Sequence, residues 1–286
     1  MSRPTAPRRR GDHVLAGIPV AWLVVFFLAP LGFTVVYSFG VSTFGGVRLG
    51  FSFDNYRTAL SGIYLKTFLA TARYAVISCV LCIAAALPVA YFIARRAGRH
   101  KTLALAIVLI PYLTSFLVRV MSWQILLARG GAAEHLLNAL GLHAGPLDVL
   151  DTRTAVYIGT VYAYLPIAIV PIYVVLDRVP AELFEASHDL GGSRLKTFVH
   201  VTLPMSRPGI ATAVLLTAVP MLGELVIPQL LGGGKGLFMG QAISSQYLKS
   251  QNYALGSAMA VLVLAAVTAI VAILARLTKG FDEVGG

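Results

Sequence analysis

The sequence is short of charge. Asp, Glu, Lys and Arg make up only 12% of its 286 residues, while hydrophobic residues reach 57%. A soluble domain carries about 25% charged residues. A chain this oily would expose too much apolar surface to water, so a membrane protein is expected. Acid is scarcer than base, 12 Asp plus Glu against 23 Lys plus Arg, for a net charge of +11. A nucleic-acid binder gathers such charge on one soluble face. Here it sits in short segments between apolar runs, so no nucleic-acid partner is expected and the charge reads as membrane topology. Cysteine is nearly absent: Cys79 and Cys82 form a lone Cys-x-x-Cys inside an apolar run. No second pair and no Cys/His cluster completes a metal site, and buried packing is the plainer role for these thiols. The phosphate cradle Gly-x-x-x-x-Gly-Lys followed by Ser or Thr is missing; Gly232-Gly233-Gly234-Lys235 lacks the hydroxyl residue. His13, His100, His135, His143, His188 and His200 fall in or beside loops and form no Ser/His/Asp set. The chain is therefore expected to be no enzyme and to hold no cofactor or metal.

What the sequence has in abundance is long apolar runs. Six stretches qualify: Val14 to Val47, Tyr74 to Ala94, Thr102 to Ala128 with Arg119 inside, Thr154 to Leu176, Pro208 to Gly234 with Glu224 inside, and Ser250 to Ala275. A spanning helix needs about 20 apolar residues. The expectation is an all-α polytopic membrane protein, one domain over 1–286, with six spans near 14–40, 70–94, 103–128, 154–176, 208–231 and 252–275. The first run is longer than the roughly 7–15 residues of a secretory core, so it reads as an uncleaved first helix.

The intervening charges set orientation. Arg3, Arg8, Arg9 and Arg10; Arg95, Arg96, Arg99 and Lys101; Arg178, Arg194, Lys196 and Arg207; and Arg276 and Lys279 all share one side. They are 14 of the 23 Lys and Arg, which puts both termini and the 177–207 loop in the cytoplasm. The opposite connections, roughly 41–66, 129–153 and 232–249, are rich in Gly, Ser and Asn. Proline recurs within the spans, at Pro19, Pro30, Pro88, Pro111, Pro166, Pro171, Pro220 and Pro228. Each can bend its helix in a way that suits a moving pathway. Proline is also simply common in membrane helices.

The 177–207 loop has more structure than a linker needs. Pro180 suits a first helical turn, and Ala181 to Leu190 follows as a short helix. Leu183, Phe184, Ala186, Ser187 and Leu190 share its apolar or small face. Gly191 is expected in a left-handed cap. Ser193 would cap a second helix over Arg194 to Val201, stopped by Pro204. Helices this short are marginal alone and persist only when packed on something.

The residue spacing then carries a resemblance. Glu185-Ala186-Ser187, Gly191 after three residues, and Val201-Thr202-Leu203-Pro204 after nine more resemble the EAA loop of binding-protein-dependent ABC importer permeases. Departures from that pattern are Ser187 for Ala and Val201 for Ile. Leu109-Ile110-Pro111-Tyr112 with Arg119 and Trp123, and Gly223 to Pro228 followed by Leu231-Gly232-Gly233, are similar to permeases of the spermidine/putrescine type. The resemblance implies a type I importer permease of a bacterial inner membrane. Its partners would be separate ATPase subunits that bind ATP and Mg, a second homologous permease subunit in a heterodimer, an extracytoplasmic solute-binding protein, and membrane lipid. Glu185, Ala186, Ser187, Gly191, Val201, Leu203 and Pro204 would form the coupling loop. Gly191 would fix its bend, Glu185 would touch the ATPase or cap the loop, and Leu203 with Pro204 would anchor the second helix. Substrate by resemblance is a polyamine; opines, thiamine, iron and sulfate are alternatives. A secondary transporter or channel without an ATPase is the competing class.

Glu224 is the one acid inside a span. A charge at the bilayer centre costs about 2.5–3.5 kcal/mol, so it should face the bundle or a water path. With Tyr112, Trp123, Tyr162 and Tyr164 it could attract a polycation. Alternatively it pairs with Arg119 or Arg73, or takes backbone donors near Pro228. Arg73 and Arg119 are expected to snorkel to the interface.

Overall fold

The computed structural model describes residues 19–43, 45–142, 145–233 and 238–282. The four N-terminal arginines, His13, the expected start of the first span at Val14, His143 and the Gly234-Lys235 pair lie outside the described residues. Among the described residues, four helices are long and apolar enough to cross a membrane: Pro19–Ser38, Gly62–Arg95, Arg153–Asp177 and Tyr253–Arg276. Two bent pairs qualify when each is taken together, Gly98–Tyr112 with Phe116–Leu127 at 85°, and Arg194–Met205 with Arg207–Leu222 at 65°. The chain divides into two compact units, residues 1–62 with 243–262, and residues 63–242 with 263–286.

In the smaller unit, the helix Pro19–Ser38 carries a wide turn at Val24–Leu28, where the Ala29 N–H reaches back five residues to Val24 O. Pro30 explains it. Proline lacks an N–H and its ring collides with the carbonyl four residues back, so the helix widens to let that carbonyl pass. A hairpin follows that the sequence did not suggest. Val41–Thr43 pairs antiparallel with Gly46–Arg48, Val41 opposite Arg48. Ser42 Oγ donates to Asn252 Oδ1 at 2.8 Å and accepts from the Ala254 N–H at 2.9 Å, tying the hairpin to the start of the last long helix. Asn55 Nδ2 donates to Ser38 O and Gly40 O. Phe39, Phe51, Phe53 and Tyr56 pack ring on ring beside it.

In the larger unit, the core is built from small residues. Ala75, Cys79, Cys82, Ala86 and Ala90 of Gly62–Arg95 are buried, as are Ala155, Ala163, Ala168, Ile169 and Ile172 of Arg153–Asp177 and Ala213 and Met221 of Arg207–Leu222. Small side chains let helix backbones approach closely, the main source of helix association where lipid is as apolar as leucine. One close backbone approach is at Gly209. A Cβ there would lie 2.8 Å from Pro171 O and 2.9 Å from Ile172 Cα.

Two expected spans are not continuous. The third breaks between Tyr112 and Phe116, just after Pro111, with Ser115 extended. The fifth breaks at Gly223–Leu225, between Arg207–Leu222 and the short helix Val226–Leu231. The 16-residue first piece is about 24 Å long at 1.5 Å per residue, short of a hydrocarbon core of about 30 Å. Broken helices of this kind occur at membrane depth only where protein or a water-filled cavity satisfies the freed backbone.

Candidate functional site

The polar loop folds as two helices around a glycine bend. Glu182–Asp189 is followed by Gly191 at φ +75°, a conformation that suits glycine because a Cβ would crowd the backbone. The Gly192 N–H donates to Ser187 O at 2.8 Å, the long bond of a Schellman cap. The second glycine has its own reason: a Cβ at Gly192 would sit 2.5 Å from Ser187 O. Both glycines are thus needed to end the helix, Gly191 for its conformation and Gly192 for the room it leaves. Ser193 Oγ accepts from the Lys196 N–H at 3.4 Å and starts the second helix. That helix does not stop at Pro204. It runs over Arg194–Met205 and widens at Phe198–Thr202, with the Leu203 N–H bonded to Phe198 O, the same accommodation that Pro30 receives.

One side of this loop is fastened to the long helices. Ser187 Oγ lies 2.8 Å from Thr197 Oγ1 and joins the two short helices. Tyr91 and Phe198 meet edge to face. Arg95, at the end of Gly62–Arg95, donates through Nη2 to Leu176 O at 2.8 Å and also to Val179 O, and its Cζ stands 4.3 Å above the Phe184 ring. One guanidinium therefore joins the end of one long helix, the terminal carbonyls of another and the first loop helix. The carbonyls at a helix C-terminus have no partner within the helix and attract cations. Reading Arg95 only as a topology charge missed this role. Thr197 and Thr202 in the second helix and Ser206 just after it are buried, whereas Leu203 is exposed and Pro204 and Val201 are half-buried. Anchoring thus falls to small hydroxyl residues, because the Leu203 side chain points away from the bundle. The other side of the loop is bare. Leu190 is 89% and Leu195 73% exposed, and Leu183, Glu185 and Ala186 are exposed as well. Glu185 caps nothing among the described residues.

A second site forms where the two breaks face each other. Tyr112, Thr114, Phe116, Arg119, Ala163, Tyr164, Ile167 and Glu224 line an open cavity of about 410 Å³. Glu224 is 7% exposed. Its Oε1 accepts from the Val226 and Ile227 N–H groups at 2.9 and 3.3 Å, and its Oε2 from the Tyr164 hydroxyl at 2.7 Å. The carboxyl group thus satisfies the exposed start of the Val226–Leu231 helix, a need that the break itself creates. Among the described residues it forms no ion pair with Arg119 or Arg73.

Arg119 departs from expectation. It does not snorkel outward but is 8% exposed, with its Cζ 4.9 Å from the Tyr112 ring and 5.9 Å from the Phe116 ring. The 85° bend folds Tyr112 back over the next helix and creates this position. Arg73 is exposed. Trp123 and Tyr162 are elsewhere. Their rings stack edge to face 5.3 Å apart in an apolar cavity with Leu81, Val161 and Leu165. Tyr162 and Tyr164 are two residues apart, about 200° around a helix, and so cannot line one cavity. The five candidates therefore separate into Tyr112, Tyr164 and Glu224 on one side and Trp123 with Tyr162 on the other. Phe116 and Thr114 join the first group without any sequence signal beyond their nearness to Pro111.

Comparison with known proteins agrees with this architecture. Residues 13–281 match the family described as binding-protein-dependent transport system inner membrane component. The spermidine/putrescine transport system permease protein PotB of Escherichia coli (strain K12) is 32% identical over 240 residues, covering 84% of this chain and 87% of that protein. The inner membrane ABC transporter permease protein YdcU of the same organism is 30% identical over 251 residues, covering 80% and 77%. Among solved structures, a chain of a bacterial ABC transporter that imports the acidic polysaccharide alginate shares the fold, with a TM-score of 0.73 at 16% identity over 94% of this chain and 96% of that one. The chain belongs to the inner-membrane components of binding-protein-dependent transport systems, as a multi-pass permease subunit of a bacterial inner membrane.

Proposed function

We propose that this chain is the permease subunit of a polyamine-importing ABC transporter. Its loop 177–207 takes force from separate ATPase subunits, which bind the ATP and Mg. A second, homologous permease subunit completes the path, and an extracytoplasmic binding protein delivers the substrate. Both termini and the loop face the cytoplasm, following the distribution of Lys and Arg.

The observation that carries the reading is the two-sidedness of the loop. One side is fixed to the bundle through Arg95, Phe184, Tyr91 and Phe198, while Leu183, Glu185, Leu190 and Leu195 on the other face outward. Exposed leucines rimmed by charge suit a protein partner. When the ATPases close on ATP, the loop moves, and the contacts of Arg95 carry that movement into two long helices. Polyamine as substrate is supported by the spermidine/putrescine permeases among the relatives and by the Glu224 cavity, which offers a carboxylate and aromatic faces to a flexible polycation.

The test is uptake of labelled spermidine into vesicles holding the complete importer, in parallel with this chain alone. Spermidine should enter only with the ATPase and ATP. Glu224→Gln should lower uptake about tenfold at unchanged membrane content, in keeping with the loss of a water-poor charge interaction. Uptake by the chain alone would make it a self-sufficient carrier. Wild-type uptake by Glu224→Gln would remove Glu224 from the path.

A further inference from the structure

The cavity at the two breaks already holds a cation, and it is the protein's own. Arg119 is held unlike the other well-placed arginine of this unit. Arg95 spends its guanidinium on two main-chain carbonyls. Arg119 is nine-tenths buried and, among the described residues, no carboxylate lies within ion-pair distance; its Nε, like that of Arg95, is shut off from solvent with no hydrogen-bond partner, but Arg119 has no main-chain carbonyls to make up for it. The acid of the same cavity is engaged elsewhere, by the Tyr164 hydroxyl and two main-chain N–H groups. What Arg119 does have is the faces of Tyr112 and Phe116, at 4.9 and 5.9 Å. Two ring faces converging on one cation make an ammonium-binding arrangement. A buried charge without full hydrogen bonding is costly to keep, so such a residue is poised to leave when a better-solvated place is offered.

We propose that the Tyr112 and Phe116 faces form an ammonium subsite of the transport path, and that Arg119 is its resident plug, displaced by an amine of the substrate. The inference rests on the polyamine reading for the substrate's identity, but not for the subsite's chemistry. A guanidinium is always charged, so while it is seated an incoming ammonium meets a like charge as well as an occupied cage. Moving it requires room, and the cavity of about 410 Å³, walled by Thr114, Ala163 and Ile167 beside the rings, provides it. A diamine or triamine has what the exchange needs: one ammonium for the rings and a second, several methylenes away, for the carboxylate of Glu224. A monoamine satisfies only one of the two, so the plug also selects for more than one charge.

The experiment uses the complete importer in nanodiscs without its binding protein. Direct binding of labelled spermidine and of n-butylammonium is measured for wild type, Arg119→Gln and Arg119→Lys. Arg119→Met, which keeps an apolar stem over the rings, stands in should Arg119→Gln not fold. Removing the plug should tighten binding of both probes at least about fivefold, which a close like-charge contact is worth even when fully screened by water. Arg119→Lys, still cationic, should stay near wild type. Adding Tyr112→Leu to Arg119→Gln should cancel the gain. A gain for n-butylammonium without any spermidine binding keeps the subsite and overturns the polyamine reading. No gain for either probe overturns the plug. Loss of spermidine binding in Arg119→Gln also overturns it, since Arg119 would then be holding the ligand or the fold.

Discussion

The helices Pro19–Ser38 and Arg153–Asp177 are both long, apolar and interrupted by proline, yet they live in opposite surroundings. The first buries only Ser38 among its described residues, and a Cβ added at Gly32 would meet nothing within 4 Å. The second buries eleven residues, among them Ala155, Gly159, Ala163 and Ala168. Apolarity alone says that both belong in a bilayer. Which of them packs on protein is decided by small residues recurring on one face. The first helix is instead filled with Trp22, Val25, Phe26, Phe27 and Phe33, large side chains turned outward.

Matched substitutions probe that contrast. The largest effect is expected from Gly209→Leu, whose Cβ would press on Pro171 O and Ile172 Cα on the well-packed helix. Overpacking of this kind costs about 1–3 kcal/mol or more, so the purified complex should lose several degrees of thermal midpoint or fail to assemble; a normal melting curve would mean the helices are not in contact there. Next comes Gly191→Leu, with a side chain forced into left-handed backbone at roughly 1–2 kcal/mol. The protein should insert normally but lose most uptake while ATP hydrolysis continues; fully coupled uptake would detach the bend from transmission. Arg95→Met should lower uptake several-fold at unchanged insertion, because the ring contact and two carbonyl bonds go while an apolar stem stays. If its uptake matches wild type, force takes another route. Gly32→Leu should be the mildest, within about 0.5 kcal/mol. A fall comparable to that of Gly209→Leu would mean that something other than lipid covers the first helix.

Much of this was legible in the residues. The long apolar runs appear as helices or broken helices, although Gly62–Arg95 begins eight residues before the expected 70 and the start expected at 14 lies outside the described residues. The loop's helix–bend–helix form followed from Pro180, Gly191 and Ser193, each of which acts on backbone within its own neighbourhood. The cavity was only half legible. Glu224 announced itself as an acid in an apolar run, but the rest of the cavity lining comes from residues 112–119 and 163–167, and nothing local says that two helix breaks will face each other. Arg119 was misjudged for that reason: a cation in a straight third span would reach for the interface, whereas the 85° bend turns it inward. Pro204 was misjudged because proline stops a helix only if the helix cannot widen, and five residues of wider turn let it continue. The hairpin at Val41–Arg48 gave no sign, since three-residue strands beside glycine leave too little alternation to read.

The bonds of Arg95 imply an unusual constancy. Its acceptors at Leu176 and Val179 are main-chain oxygens, which remain whatever side chains stand at those two places. Sequence drift at positions 176 and 179 leaves the acceptors of this tie in place. A single codon, that of residue 95, governs whether the tie exists.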